Sequence, residues 1–293
     1  FIYRQIAVNE VIHLMEDFCF ENTISPYKEL ISYELLWSNP KASFKSMAQE
    51  LSRTNKLPSQ IVSSKYTDMF SSEPEHLPAI RNFIEKKNGT FSVMLKESPQ
   101  YPKQLLDAKY PIDLFYYKGN LDIASEKKLV SVVGTRNCST EGIYRTRKLV
   151  KLLAENGFSI VSGLARGIDT EALKTAESYN ARVIGVIGTP IDMYYPIENK
   201  QFQDLIADKH LLISQVPLYR YSIESFKNKR IYFVERDATM AALSKATIIV
   251  EAGETSGTLA QARACLQQGR KVFILNSCFE NTTLTWPKKF EEK

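Results

Sequence analysis

The residues best suited to chemistry lie in turns where glycine, hydroxyl residues and arginine meet. Gly134-Thr135-Arg136 follows the apolar run 129–133, and Ser162-Gly163-Leu164-Ala165-Arg166-Gly167 follows a second run, 158–162. At the carboxyl end of a parallel strand such a turn aims backbone N–H groups at a ligand, and the next helix adds the positive end of its dipole; phosphate binds there. Arg136 and Arg166 bring a fixed fork of donors that matches phosphate oxygens. A purely structural turn has no use for them. Asp169 stands where it can cap the next helix. A third turn, 188–196, carries Tyr194 and Tyr195, whose rings suit either base stacking or packing under a loop. A fourth, 251–259, sets Ser256, Gly257 and Thr258 before a helix expected over 259–268. Finally Lys227, Lys229, Arg230 and Arg236 fall within ten residues. That cluster reads either as a polyanion contact or as a solvated basic face.

Other chemistries find less support. The glycine spacing is neither that of a dinucleotide-binding GxGxxG nor that of a Walker loop. Three histidines and four cysteines are scattered, with no CxxC pair, which speaks against a zinc ribbon or a Ser-His triad. The cysteine pattern suits reduced thiols and a cytoplasmic protein. A net charge of +5 permits a polyanionic partner without demanding one. No run reaches the roughly 20 apolar residues of a membrane span, and the first residues do not read as a secretory signal. No metal or cofactor is expected.

These turns need a frame. From residue 129 onward short apolar runs at 129–133, 158–162, 182–187, 211–214, 246–250 and 271–275 alternate with helix-period segments. Runs apolar throughout are expected of strands covered by helices on both faces of a parallel sheet. The fold class is α/β: a Rossmann-like, mostly parallel sheet. Ahead of it, 1–85 reads as an all-α accessory module. Helical spacing recurs at Val8–Phe18, 27–36, 43–51 with Ser43 as cap, and 60–69, and 71–78 reads as a polar connection. Residues 86–293 then form the α/β domain. In it 91–95 alternates like a strand, and 111–120 leads into the first βα unit.

Taken together, these strings resemble the Smf/DprA family of DNA-processing proteins, within the group that also holds the Lonely Guy nucleotide hydrolases. The resemblance rests on Tyr101-Pro102, LFYYKGN (114–120), VVGTRNCSTEG (132–142), NGFSIVSGLARGID (156–169), GTPIDMYYPIEN (188–199), VEAGETSGTLAQAR (250–263) and GRKVF (269–273). It implies an extended Rossmann-like domain that binds single-stranded DNA, forms a homodimer, loads the RecA recombinase and catalyses no reaction. The N-terminal module matches the size of the family's sterile-alpha-motif-like accessory domain. Carried over by position, Gly134, Arg136, Ser162, Gly163, Arg166, Gly167, Ser256, Gly257 and Thr258 would line a phosphate pocket. Three departures stand out: Arg236-Asp237-Ala238 where the family has Arg-Asn-Arg, Leu173 where it tends to have histidine, and Gln215 where it has glutamate. The first removes a cation and adds an anion beside the expected pocket.

Three functional readings follow. One is a non-catalytic protein that holds the backbone phosphates of single-stranded DNA. The second is a sensor that binds one nucleotide in the same cleft, motivated by the less basic 236–240 segment. The third is a nucleotide N-glycosidase of the Lonely Guy type. It is weakened because Ala260-Gln261 follows Gly257-Thr258-Leu259, where those enzymes place a catalytic glutamate.

Overall fold

The computed structural model describes residues 24–66, 74–87 and 89–291. The helix expected at 8–18, residues 67–69 of the fourth module helix and 71–73 of the connection lie outside them. The module contributes α1 (Pro26–Ser38), α2 (Phe44–Thr54), α3 (Pro58–Tyr66) and α4 (Leu77–Glu85). Ser43 caps α2 as its position predicts: its Oγ accepts from Ser46 N at 3.2 Å while Ser46 Oγ accepts from Ser43 N at 2.9 Å. This reciprocal pair satisfies two of the donors that a helix start leaves open.

The sheet follows. Its strands are β1 (Ser92–Leu95), β2 (Leu114–Gly119), β3 (Leu129–Val133), β4 (Ser159–Ser162), β5 (Val183–Val186), β6 (Leu211–Ser214), β7 (Ala246–Ile249) and β8 (Lys271–Ile274). Their order is β1-β2-β6-β5-β4-β3-β7-β8. The last six in that order are parallel, while β1–β2 and β2–β6 pair antiparallel. The run read only as a lead-in is thus a full strand, and it extends the parallel sheet by an antiparallel edge.

Alternation along the strands sorts the core into two layers. Val130 and Val132 join one cluster, with α6 (Ile168–Ser178) and the module. Leu129 and Val133 join the other, which holds Met240, Leu259 and Trp286. In the first layer α6 packs against α5 (Thr140–Glu155). The second layer is closed by α9 (Arg230–Leu243) and α10 (Thr258–Gln267). Both faces of β3 to β7 are covered, which is why these strands carry no polar alternation. Between β5 and β6 runs α7 (Lys200–Lys209), and α8 (Leu218–Ile223) precedes α9; α11 (Asn276–Glu280) and α12 (Trp286–Glu291) complete the chain.

The module is tied to this body by a buried carboxylate. Glu34 of α1 accepts from Leu218 N at 2.7 Å, Tyr219 N at 2.9 Å and the Tyr116 hydroxyl. One side chain thereby caps α8 and links α1 to β2. Burial holds its carboxyl above the usual range.

No described helix is long and apolar enough to cross a membrane.

Candidate functional site

The strand order fixes where a ligand fits. From β3 the chain steps one way through β4, β5 and β6, then returns to place β7 on the other side of β3. The loops after β3 and β7 therefore diverge and leave a crevice at the carboxyl ends of the strands. A cleft of about 480 Å³ occupies that crevice. Its walls are the 134–137 turn, the 253–258 loop, and Phe233, Arg236, Asp237 and Met240 on one face of α9. A second compartment of about 420 Å³ adjoins it, lined by Arg166, Tyr194, Tyr195, Ile197 and Glu198. Arg136, Asn137, Ala165, Phe233 and Arg236 line both, so the two form one groove.

The first two glycine turns differ from the sequence reading in what their N–H groups face. Gly134 N and Gly163 N donate to Asp169 Oδ1 and Oδ2, at 3.3 and 3.2 Å. Asp169 is not the cap of α6, whose N-cap is Gly167. It is an internal anion seated where phosphate was expected. Its carboxyl is pushed up to about 6, chiefly by burial, with Arg236 pulling the other way and Asp237 adding to the rise. Ser162 and Gly167, expected in the lining, are absent from it. Ser162 is buried, and its hydroxyl donates to Val132 O at 2.7 Å, bracing β4 against β3. Gly167 has φ +77°, and a Cβ there would lie 2.4 Å from Thr135 O. It lets the second turn close on the first.

Arg236 is likewise a structural residue first. It is 6% exposed. Its Nη1 donates to Gly163 O at 2.5 Å and Val186 O at 3.2 Å, and its Nε donates to Asp237 Oδ1 at 2.8 Å. The two carbonyls lie just past the last β4–β5 pair, Ser162↔Gly185. The guanidinium satisfies them where the ladder stops. Gly163 is needed for this: a Cβ on it would lie 1.9 Å from Arg236 Nη1. The aspartate that departs from the family pattern is thus the anion that holds Arg236. Burial raises the Asp237 carboxyl, and Arg236 and Arg136 oppose the rise.

Arg136 and Arg166 are exposed in the groove. Arg166 pairs with Glu198 across the second compartment, both side chains being largely exposed. An exposed pair of this kind costs only ~0.2–1 kcal/mol to open. In the last loop Ser256 Oγ donates to Thr258 Oγ1 at 3.0 Å, and Thr258 Oγ1 donates to Gly134 O at 3.1 Å. Both hydroxyl protons are spent within the protein, Ser256's inside its own loop and Thr258's on joining that loop to the first turn. Ser256, Gly257 and Thr258 still line the cleft. Lys227, Lys229 and Arg230 line neither compartment. They precede Phe233 at the start of α9, and Lys229 Nζ sits 4.3 Å above the Tyr221 ring centroid.

Residue-type reasoning passed over Phe233. Its ring meets Tyr195 at 5.4 Å between centroids, lines both compartments and lies 6.0 Å from the Arg236 guanidinium carbon. Its signal was the spacing of 233, 236, 237 and 240, one face of a helix. Tyr195 is 49% exposed. Tyr194 donates its hydroxyl to Asp204 Oδ1 at 2.7 Å.

Known proteins share this sequence and architecture. The family model described as DNA recombination-mediator protein A matches residues 92–287. Protein Smf of Synechocystis is 36% identical over 194 residues, 65% of this chain and 47% of Smf. DNA processing protein DprA of Streptococcus pneumoniae is 38% identical over 61% of this chain and 64% of its own length. DprA of Bacillus subtilis is 30% identical over 257 residues, 86% of this chain and 82% of the relative. The chain thus spans about half of Smf and most of the Bacillus protein. Among solved structures, DprA of Streptococcus pneumoniae aligns with TM-score 0.66 at 28% identity, covering 86% of this chain and 87% of that one. DprA of Helicobacter pylori, whose structure describes a single-stranded DNA binding mode, aligns with TM-score 0.56 at 24% identity, over 70% and 96%. The glycine turns, the sheet they end and the groove between them make this chain a member of the DNA recombination-mediator protein A family.

Proposed function

We propose that this chain binds single-stranded DNA along the two-compartment groove and carries out no bond-making or bond-breaking step there. One observation carries the reading: exposed Arg136 and Arg166 share a continuous groove with the Tyr195–Phe233 ring pair. Arginine forks hold backbone phosphates without reading sequence, and exposed rings stack any base. A strand offers both at regular intervals, whereas a lone nucleotide fills one compartment. In the first compartment the carboxylates are committed, Asp169 to two backbone N–H groups and Asp237 to Arg236, and in the second Glu198 pairs with Arg166. That favours binding over glycosidic cleavage. The names of the relatives support a role in DNA processing. Self-association as a dimer and delivery of the strand to RecA belong to the same reading, on the family resemblance.

Fluorescence anisotropy with a labelled oligothymidine, read across a salt series, tests it. We expect affinity to fall steeply with salt, and Tyr195→Ala with Phe233→Ala to weaken binding ~10-fold at fixed salt. Absence of binding at low salt, beside stabilisation by a nucleoside monophosphate, would transfer the site to the single-nucleotide reading.

A further inference from the structure

A second charged surface lies outside the groove, between α5 and α6. It forms an open trough of about 720 Å³. On α5, Tyr144, Lys148 and Lys151 follow one another at helical spacings of four and three, so they share a face. On α6, Lys174 also lines the trough, its ammonium 5.7 Å from the Phe202 ring centroid on α7, and Tyr179 closes the far end. Tyr144 is 66% and Tyr179 45% exposed. Lys151 Nζ lies 5.6 Å from the Tyr179 ring centroid. Arg147 is matched by Glu171 across the trough, at 2.5 Å. Lys151 also pairs with Glu155 at 3.8 Å on the exposed surface, and the lining itself still carries Arg147, Lys148, Lys151 and Lys174 against Glu171.

Its position gives this surface meaning. Helices α5 and α6 start directly behind the turns that carry Arg136 and Arg166. At 1.5 Å per residue, Tyr144 and Lys174 stand ~6–9 Å into their helices, and Lys151 ~17 Å in. The trough's cations and rings therefore stand on the two helices that lead away from the arginine turns of the groove. We infer that the α5–α6 trough is a second single-strand contact that takes the nucleic acid leaving the groove past Arg166. Unpaired bases are required, because rings such as Tyr144 and Tyr179 stack on bases that a duplex keeps inside. The inference rests on the groove reading given above.

The test compares an oligothymidine of about 5 residues, long enough for the groove, with one of about 20, long enough for both surfaces. The triple variant Lys148→Ala, Lys151→Ala, Lys174→Ala removes only exposed side chains, and its melting temperature should match the parent's. It should bind the short oligonucleotide as the parent does and the long one ~10-fold more weakly. Its salt slope on the long one should fall by about 2, at ~0.7 per lost cation. Photocrosslinking of the long oligonucleotide should mark Tyr144 and Tyr179. Unchanged affinity and slope on the long oligonucleotide would overturn the trough contact, as would be found for a face that docks a protein. If Arg136→Ala then still weakens both lengths, the groove reading survives alone. Failure of the parent to bind either length overturns both.

Discussion

The two walls of the groove each carry arginine and use it in opposite ways. On the α9 wall, Arg236 is buried among two carbonyls and a carboxylate and serves the sheet. On the loop wall, Arg136 and Arg166 are exposed and serve the groove. The same contrast runs through the donors. Gly134 and Gly163 look like phosphate cradles, yet Asp169 fills both. A turn rich in donors at a strand end is thus as able to hold the protein's own anion as a ligand's. Burial separates the arginines: Arg236 is enclosed with its partners, while Arg136 and Arg166 reach solvent.

The sharpest way to break this contrast is Arg236→Ala. It strips the acceptors at the ends of β4 and β5 and leaves Asp169 and Asp237 buried without their cation. We expect a loss of ~3–5 kcal/mol, read as a lowered denaturant midpoint. A loss below ~1 kcal/mol would show that the residue is not the pin described. Next comes Gly163→Ala, whose methyl meets the Arg236 guanidinium. Thermal unfolding should report ~1–3 kcal/mol of destabilisation, rescued in part when Arg236 is shortened in the same chain.

Arg136→Ala and Arg166→Ala should invert that pattern. Stability should stay within about 0.5 kcal/mol, while single-strand affinity falls ~10-fold each and the salt slope by ~0.7 each. A variant that unfolds instead would place its arginine on the structural wall. The smallest effect concerns pH. The Asp169 carboxyl titrates at about 6, above its ordinary value. Lowering pH from 7.5 to 5.5 protonates it and removes a negative charge from the cleft wall, so affinity for a polyanion should rise a few-fold. Asp169→Asn should flatten that dependence. The sign on stability is the same. A carboxyl raised in the folded state binds protons that the unfolded chain does not, so through Asp169 the fold gains stability as pH falls from about 7 toward 4.

Much of the frame is legible in the chain itself. Six apolar runs announced six parallel strands, each within a residue of its place, because a strand covered on both faces needs no polar alternation. Ser43 announced the start of α2, because capping is a contact over three residues. The strand at Leu114–Gly119 escaped notice. Its mixed run LFYYKG takes its role from β6, almost a hundred residues away, with Tyr116 opposite Ser214. At the site, residue types located the turns, and the motif strings located the family.

Local pattern determined seven of the eight strands, the starts of helices such as α1, α2 and α10, and the loops that meet at the sheet's carboxyl edge, because each rests on contacts a few residues apart. Only the tertiary structure decided which donors are free. Asp169 reaches back 35 residues to Gly134, and Arg236 reaches 73 residues to Gly163. Whether an arginine is a pin or a hand depends on what the fold buries beside it, and no spacing along the chain records that.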